Sequence, residues 1–232
     1  MLINILRRSY PSVSSCARIK TRLKVTRIII IRHGQTKWNE GEGERFRGRA
    51  NLDLDEQGIR QAEATAARIS QWQVNRIYSS PLKRSMSTAQ ILARPFNLQT
   101  QPLEGLIDID FGTWQGLPPA EVARRDSELY SLWLHSPHLV TFSQGESLDQ
   151  VRDRVAITFD RLLQQHQGQT IVVISHKVVC KVLICHLIGL DNSHFWQVEQ
   201  DTCAINLVEV RDSALAIALL NDTCHLKRMR VK

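Results

Sequence analysis

The sequence predicts an α/β protein: a three-layer αβα sandwich whose central sheet is mostly parallel, with one antiparallel strand at its C-terminal end. Three observations predict it. The runs Arg27-Ile28-Ile29-Ile30-Ile31 and Thr170-Ile171-Val172-Val173-Ile174-Ser175 lack polar alternation, so they read as strands covered on both faces. Strands alternate with amphipathic stretches at helical spacing, the pattern of parallel strands joined by crossover helices. Near the C-terminus two apolar runs, 204–210 and 214–220, flank Arg211-Asp212-Ser213 and read as a hairpin.

Each element has its own signal. After the first strand comes a polar, glycine-bearing loop from Gly34 to about Asp53. Asp55 then has the character of an N-cap, and Ile59, Ala62, Ala66 and Ile69 form one helical face behind it. Arg76-Ile77-Tyr78-Ser79 reads as a strand. Ser80-Pro81 reads as an N-cap with proline at the first helical position, opening a helix to about Ala93. A short strand is expected near Leu98-Gln99-Thr100, and a helical stretch from Pro118 through Leu134. Ser147 is placed to cap a helix with the stripe Leu148, Val151, Val155, Phe159 and Leu162. A largely apolar helix follows His176, to about Ile188.

The charge balance narrows the function classes. The net charge is +7, yet seven basic residues and no acidic one fall within residues 1–27, and the rest of the chain is balanced at 23 and 23. No domain-wide basic field is left for a phosphate backbone, so nucleic acid is not an expected partner. No apolar run is long enough to span a bilayer. Residues 1–25 read as a basic N-terminal extension, expected to be disordered, with residues 26–232 as the one domain. The extension has the arginine, serine and lack of acids of a transit peptide but only a weak amphipathic pattern, so a cytoplasmic location is favoured and an organellar one is the alternative. Five cysteines form no CxxC pair, which argues for reduced thiols and against a zinc site.

The chemistry sits at strand ends. Arg32-His33 follows the first buried strand directly, and His176 follows the later one. In open α/β sheets ligands bind beyond the carboxyl ends of the strands, so neighbouring strands would bring both imidazoles to one crevice. Arg84, about one turn into its helix, can point there too. Two guanidinium forks and two imidazoles suit a dianionic phosphate: arginine matches it bidentately and a neutral imidazole can attack phosphorus. A leaving alkoxide needs a proton donor, and the loop after Leu106 offers Asp108 and Asp110. Repulsion from bound phosphate would raise the pKa of such a carboxyl group.

These residues belong to a longer pattern. Arg32-His33-Gly34-Gln35-Thr36-Lys37-Trp38-Asn39, Arg45-Phe46-Arg47-Gly48, Ser79-Ser80-Pro81-Leu82-Lys83-Arg84, Phe111-Gly112-Thr113-Trp114-Gln115-Gly116, Gly145-Glu146-Ser147 and Val173-Ile174-Ser175-His176 resemble the ordered blocks of the histidine phosphatase superfamily. The resemblance runs from Thr26 to about Leu226 and implies that 26–232 is a histidine phosphatase domain. It implies that His33 is the nucleophile and that Arg32, Arg84, His176 and Asn39 form the phosphate pocket, with Thr36, Arg47, Gly48 and Lys177 on the phosphate or substrate side. Asp108 takes the proton-donor position where this branch usually carries Glu, with Asp110 as fallback. Lys177 stands where glycine is common, and either meets a substrate carboxylate or points to solvent. His225 could reach the substrate's far end, or sit at the surface.

The C-terminal half is similar to metal-independent phosphoserine phosphatases, to α-ribazole phosphatases and to sugar-acid phosphatases. The resemblance implies a phosphomonoesterase for small molecules, with no cofactor and no metal. A cofactor-dependent phosphoglycerate mutase is the first alternative and a non-catalytic phosphate-binding relative the second. A small phosphomonoester is the expected partner, and the resemblance is compatible with a homodimer.

Overall fold

The computed structural model describes residues 25–39, 44–212 and 214–229. The expected N-terminal extension therefore lies almost entirely outside the described residues. Six strands form one sheet in the order β3-β2-β4-β1-β5-β6. They are β1 (Thr26–Arg32), β2 (Arg76–Ser79), β3 (Thr100–Pro102), β4 (Thr170–Ser175), β5 (Ile205–Arg211) and β6 (Ala214–Asp222). The first four run parallel to one another. β5 lies antiparallel to β1, and β6 antiparallel to β5, so the C-terminal hairpin closes the sheet as the sequence predicts.

The helices are α1 (Glu56–Ile69), α2 (Lys83–Ala93), α3 (Pro119–Arg125), α4 (Ser127–His135), α5 (Leu148–Gln165) and α6 (Lys177–Leu187). Alternation along the central strands explains the three layers. Ile28 and Ile30 of β1, with Ile171 and Val173 of β4, pack on Val151, Val155 and Phe159 of α5 and Val179 and Leu183 of α6. Ile29, Ile31, Val172 and Ile174 point the other way, onto Ala62, Ala66 and Ile69 of α1 and Ala89 and Leu92 of α2. Each such aliphatic side chain contributes about 1.5–3 kcal/mol on full burial, which is why β1 tolerates no polar residue between Ile28 and Ile31.

Local signals set most helix starts. The Asp55 carboxylate accepts from Gly58 N at 2.7 Å, and Ser147 and Gln150 form a capping box at α5. Three boundaries differ from the sequence reading. α2 begins at Lys83, because Leu82 is extended (φ −66°, ψ 139°) and the Ser80 hydroxyl, 2.7 Å from a histidine ring, reaches Leu82 N only at 3.4 Å. The expected helix from Pro118 is two helices, broken at Asp126 (φ −144°, ψ 56°), whose carboxylate accepts the Trp114 indole N–H at 3.0 Å. β3 starts at Thr100, later than expected, where it pairs with Ile77.

One close approach sets up the site. α1 begins directly against the loop leaving β1: a Cβ on Gly34 would lie 2.6 Å from Gly58 O, and one on Gly58 would lie 2.1 Å from Gln35 O. Both positions need glycine for want of space. Among the described residues no helix is long and apolar enough to cross a membrane.

Candidate active site

β1 and β4 are parallel neighbours in a register that pairs Arg32 with Ser175, so His33 and His176 leave the sheet at the same end. Their ring centroids are 5.2 Å apart and both side chains are fully buried. The convergence expected from strand ends is present.

His33 Nδ1 lies 2.6 Å from Gly34 O, a carbonyl that can only accept, so the ring proton belongs on Nδ1. Nε2 is then a free lone pair, and the Arg84 Nε–H donates to it at 3.2 Å. Burial, followed by Arg84 and Arg32, holds the His33 pKa well below 6.5. Gly34 N donates to Thr88 Oγ1 at 3.1 Å and ties this turn to α2.

Arg84 is completely buried and makes four bonds. Besides His33 it donates to Ala50 O and Gly48 O, both at 2.7 Å, and to Asp108 Oδ2 at 3.0 Å. Arg32 donates to Gln200 O at 2.7 Å, while its buried Nε has no partner among the described residues. Arg47 donates to Trp38 O, and its buried Nε is likewise unpartnered. Burial, followed by Arg32, pulls the Arg47 pKa down to about 9. Asn39 Oδ1 accepts from both Thr36 N and Thr36 Oγ1 at 2.8 Å, which leaves its amide N–H groups as donors.

Asp108 is buried. Its Oδ1 accepts from Ile109 N at 3.0 Å, and its Oδ2 lies between Arg84 Nη2 and His176 Nδ1, the latter at 3.6 Å. Its pKa is raised, as expected for a proton donor, but the cause is burial, opposed by Arg84 and Arg47. Asp110 is a turn residue outside this cluster. Its Oδ1 accepts from Gly112 N at 2.9 Å and its Oδ2 faces Arg49 at 3.4 Å. The fallback donor is therefore occupied elsewhere.

His176 Nε2 lies 2.7 Å from Ser80 Oγ and 3.4 Å from Ser85 Oγ. The Ser80 hydroxyl accepts from Leu82 N and can donate to Nε2, which puts the ring proton on Nδ1, facing Asp108. Burial, followed by Arg84 and His33, keeps this imidazole neutral. Lys177, the first residue of α6, is half-buried, and burial followed by Arg32 lowers its pKa. His225 lies away from the cluster, with Nε2 3.0 Å from Thr65 Oγ1 on α1.

Several contributors escape sequence reading. Ser80 reads as a helix cap but serves His176. Gln200 offers only a backbone carbonyl, which no side-chain pattern reveals. Arg154 of α5 carries no sequence signal of its own, yet its guanidinium donates to Gly105 O, Ile107 O and Asp108 O at 3.1, 2.7 and 3.2 Å.

A cavity of about 240 Å³ opens beside Asp108, lined by Arg47, Lys177, Tyr130, Trp133 and Trp196 among others. A larger hollow of about 550 Å³ lies at the opposite end of the sheet, around Trp72 and Leu207, and gathers no cluster of titratable groups. Among the described residues no group of His, Cys, Asp or Glu is arranged to hold a metal ion. The converging charge is instead Arg32, Arg47, Arg84 and Lys177 against Asp108, an excess of cations that suits a dianion.

Comparison with known proteins bears on this arrangement. Residues 28–223 match the family model of the histidine phosphatase superfamily (branch 1). The chain is 35% identical over 208 residues to phosphoserine phosphatase 1 of Hydrogenobacter thermophilus, covering 90% of this chain and 98% of that protein. Among solved structures, Bacillus stearothermophilus YhfR superposes with a TM-score of 0.83 at 26% identity, covering 87% of this chain and all (100%) of that one. The α-ribazole phosphatase from Shigella flexneri gives a TM-score of 0.77 at 26% identity, covering 84% and 96%.

Proposed function

The chain belongs to the histidine phosphatase superfamily, and from that premise we propose that it is a phosphatase of small phosphate monoesters whose reaction passes through a phosphohistidine at His33. The observation that carries this reading is the single proton assignment at His33. Nδ1 is committed to Gly34 O, and Nε2 faces Arg84, which also holds the buried Asp108, with Arg32 and Arg47 close enough to lower the ring's pKa.

In the first step His33 Nε2 attacks phosphorus while the bond to the substrate alcohol breaks. Arg32, Arg84 and Arg47, with the His176 N–H and the Asn39 amide that Thr36 orients, offset the charge on the phosphoryl oxygens. Asp108 in its acid form gives its proton to the departing alkoxide. In the second step Asp108, now the base, takes a proton from water. The resulting hydroxide attacks phosphorus, breaks the N–P bond and frees inorganic phosphate and neutral His33. The raised pKa of Asp108 and the lowered pKa of His33 both lie in the direction this sequence needs.

The named relatives, a phosphoserine phosphatase and an α-ribazole phosphatase, support a small metabolite as substrate and hydrolysis rather than mutase transfer. The intact pocket favours chemistry over a binding-only role. The four unpaired cysteines among the described residues support a reducing, cytosol-like compartment. The test is phosphate release from a panel of phosphomonoesters in EDTA, including phosphoserine and 3-phosphoglycerate, with wild type and His33→Ala. Release by wild type and none by His33→Ala is expected, with an acid-labile label trapped on wild type. Mutase turnover exceeding hydrolysis, or full activity in His33→Ala, overturns the proposal.

A further inference from the structure

The cavity beside Asp108 has two unlike linings. One wall is apolar: Tyr130, Trp133, Leu134 and Trp196. It is a built surface. The Trp196 indole N–H donates to Trp133 O at 2.9 Å, and the two rings meet edge-on at 5.4 Å. Behind it, Lys181 Nζ sits 4.7 Å from the Trp196 ring and 5.0 Å from the Phe195 ring, a cation–π contact that holds the wall from below. Trp196 and Leu134 are nonetheless 36% and 45% exposed at the mouth, so the wall faces open space.

The other lining is cationic. Arg45 is engaged, donating to Gly116 O at 2.9 Å and lying over the Trp38 ring. Lys177 is not: among the described residues no carboxylate lies within ion-pair distance of its amine. Glu199 approaches Lys181 instead, at 3.9 Å. Glu44 at the rim and Glu199 offset the charge on Lys177 only in part, because Arg32 and Arg47 act on the same side chain. A half-buried ammonium with cationic neighbours, one residue after His176 and beside an aromatic wall, is a receptor for an anion carried on an apolar body.

We propose that Lys177 is a specificity-determining residue, and that the preferred substrates are phosphomonoesters whose alcohol part is an apolar or aromatic body bearing a carboxylate. The phosphate would occupy the arginine cluster, the body would lie on the Trp133–Trp196 wall, and the carboxylate would pair with Lys177. This rests on the phosphatase reading above.

The test compares benzyl phosphate with 4-carboxybenzyl phosphate, whose leaving alcohols are similar. Wild type should favour the carboxylate ester by about tenfold in kcat/KM, the ratio that one partly desolvated ion pair supplies. In Lys177→Met that ratio should fall to within about twofold of unity, and Lys177→Arg should restore most of it. An unchanged ratio in Lys177→Met, or no preference in wild type, overturns the proposal. The same comparison by calorimetry, using the non-hydrolysable benzyl- and 4-carboxybenzylphosphonates, reads binding without turnover. If those show the Lys177-dependent preference while no ester is hydrolysed, the phosphatase reading fails and the subsite stands. If both phosphonates bind equally while esters are hydrolysed, the subsite alone fails.

Discussion

Replacing Arg154 by alanine removes a side chain that holds the Asp108 loop from behind. Its guanidinium makes two bonds to Glu146, each at 3.0 Å, and three to the carbonyls of residues 105, 107 and 108. The pair is mostly buried, with 21% and 17% of the Arg154 and Glu146 side chains exposed. Breaking a buried pair from one side costs about 3–5 kcal/mol, which partial exposure reduces to about 2–4 kcal/mol. For a domain of this size that is a melting-point loss of roughly 5–15 °C. The rate should suffer separately. Asp108 would lose the hydrogen bond at its own carbonyl, and misplacement by about 1 Å costs on the order of 100-fold. The assay is kcat on an alkyl phosphate, measured below the melting transition, beside thermal unfolding. Arg154→Lys should recover little of either quantity, because an ammonium cannot reproduce the fork to Glu146 while reaching three carbonyls. A folded Arg154→Ala whose kcat stays within threefold of wild type would refute the idea that this side chain positions Asp108. A stability loss under about 1 kcal/mol would refute the energetic argument.

Two further outcomes follow from the protonation states. With Asp108→Asn, hydrolysis of an alkyl phosphate should fall about 10²–10⁴-fold while 4-nitrophenyl phosphate, whose leaving group needs no proton, loses far less; wild-type kcat/KM on the alkyl ester should decline as pH rises through the raised Asp108 pKa, and equal losses on both esters would remove Asp108 from the role. His33 and His176 have folded pKa values below the ordinary 6.5, so only the unfolded chain binds these protons near that pH. Their contribution to stability is complete above about pH 6.5 and is lost as pH falls toward the folded values, at up to about 1.4 kcal/mol per pH unit for each histidine. Urea unfolding between pH 7 and 5 should show this slope, and His176→Asn should lower it by one proton's worth; an unchanged slope would mean that His176 is not buried neutral.

Much of the site is legible in the chain because its principal groups sit next to patterns that physics makes conspicuous. Arg32-His33 and His176 each end a β-branched run that can only be a doubly covered strand, and parallel pairing of those runs carries the two rings together. Arg84 is legible for the same reason, from the helix that leaves β2. What stayed hidden depends on the third dimension. The start of α2 reads as Ser80 from cap propensity, but a neighbouring imidazole competes for that hydroxyl and the helix starts later. The break at Asp126 comes with a tertiary hydrogen bond to Trp114, which no local periodicity contains. The choice between Asp108 and Asp110 is open in the sequence, since both are carboxylates in one loop. The fold separates them, burying one against Arg84 and giving the other to a turn. Repulsion by phosphate is the sequence-level reason for a raised Asp108 pKa, whereas burial already raises it in the protein.

Arg84 touches His33, Asp108 and the carbonyls of Gly48 and Ala50 with one guanidinium. His33 and Asp108 therefore share a support through which a change at one is felt at the other. Substitutions at these two positions will not combine as independent losses; the second should cost much less than the first, as it does when groups act as one unit. The chemistry of this pocket is better counted as one cooperative assembly than as a sum of residue contributions. An evolutionary route that altered His33 and Asp108 one at a time would meet nearly the whole penalty at its first step.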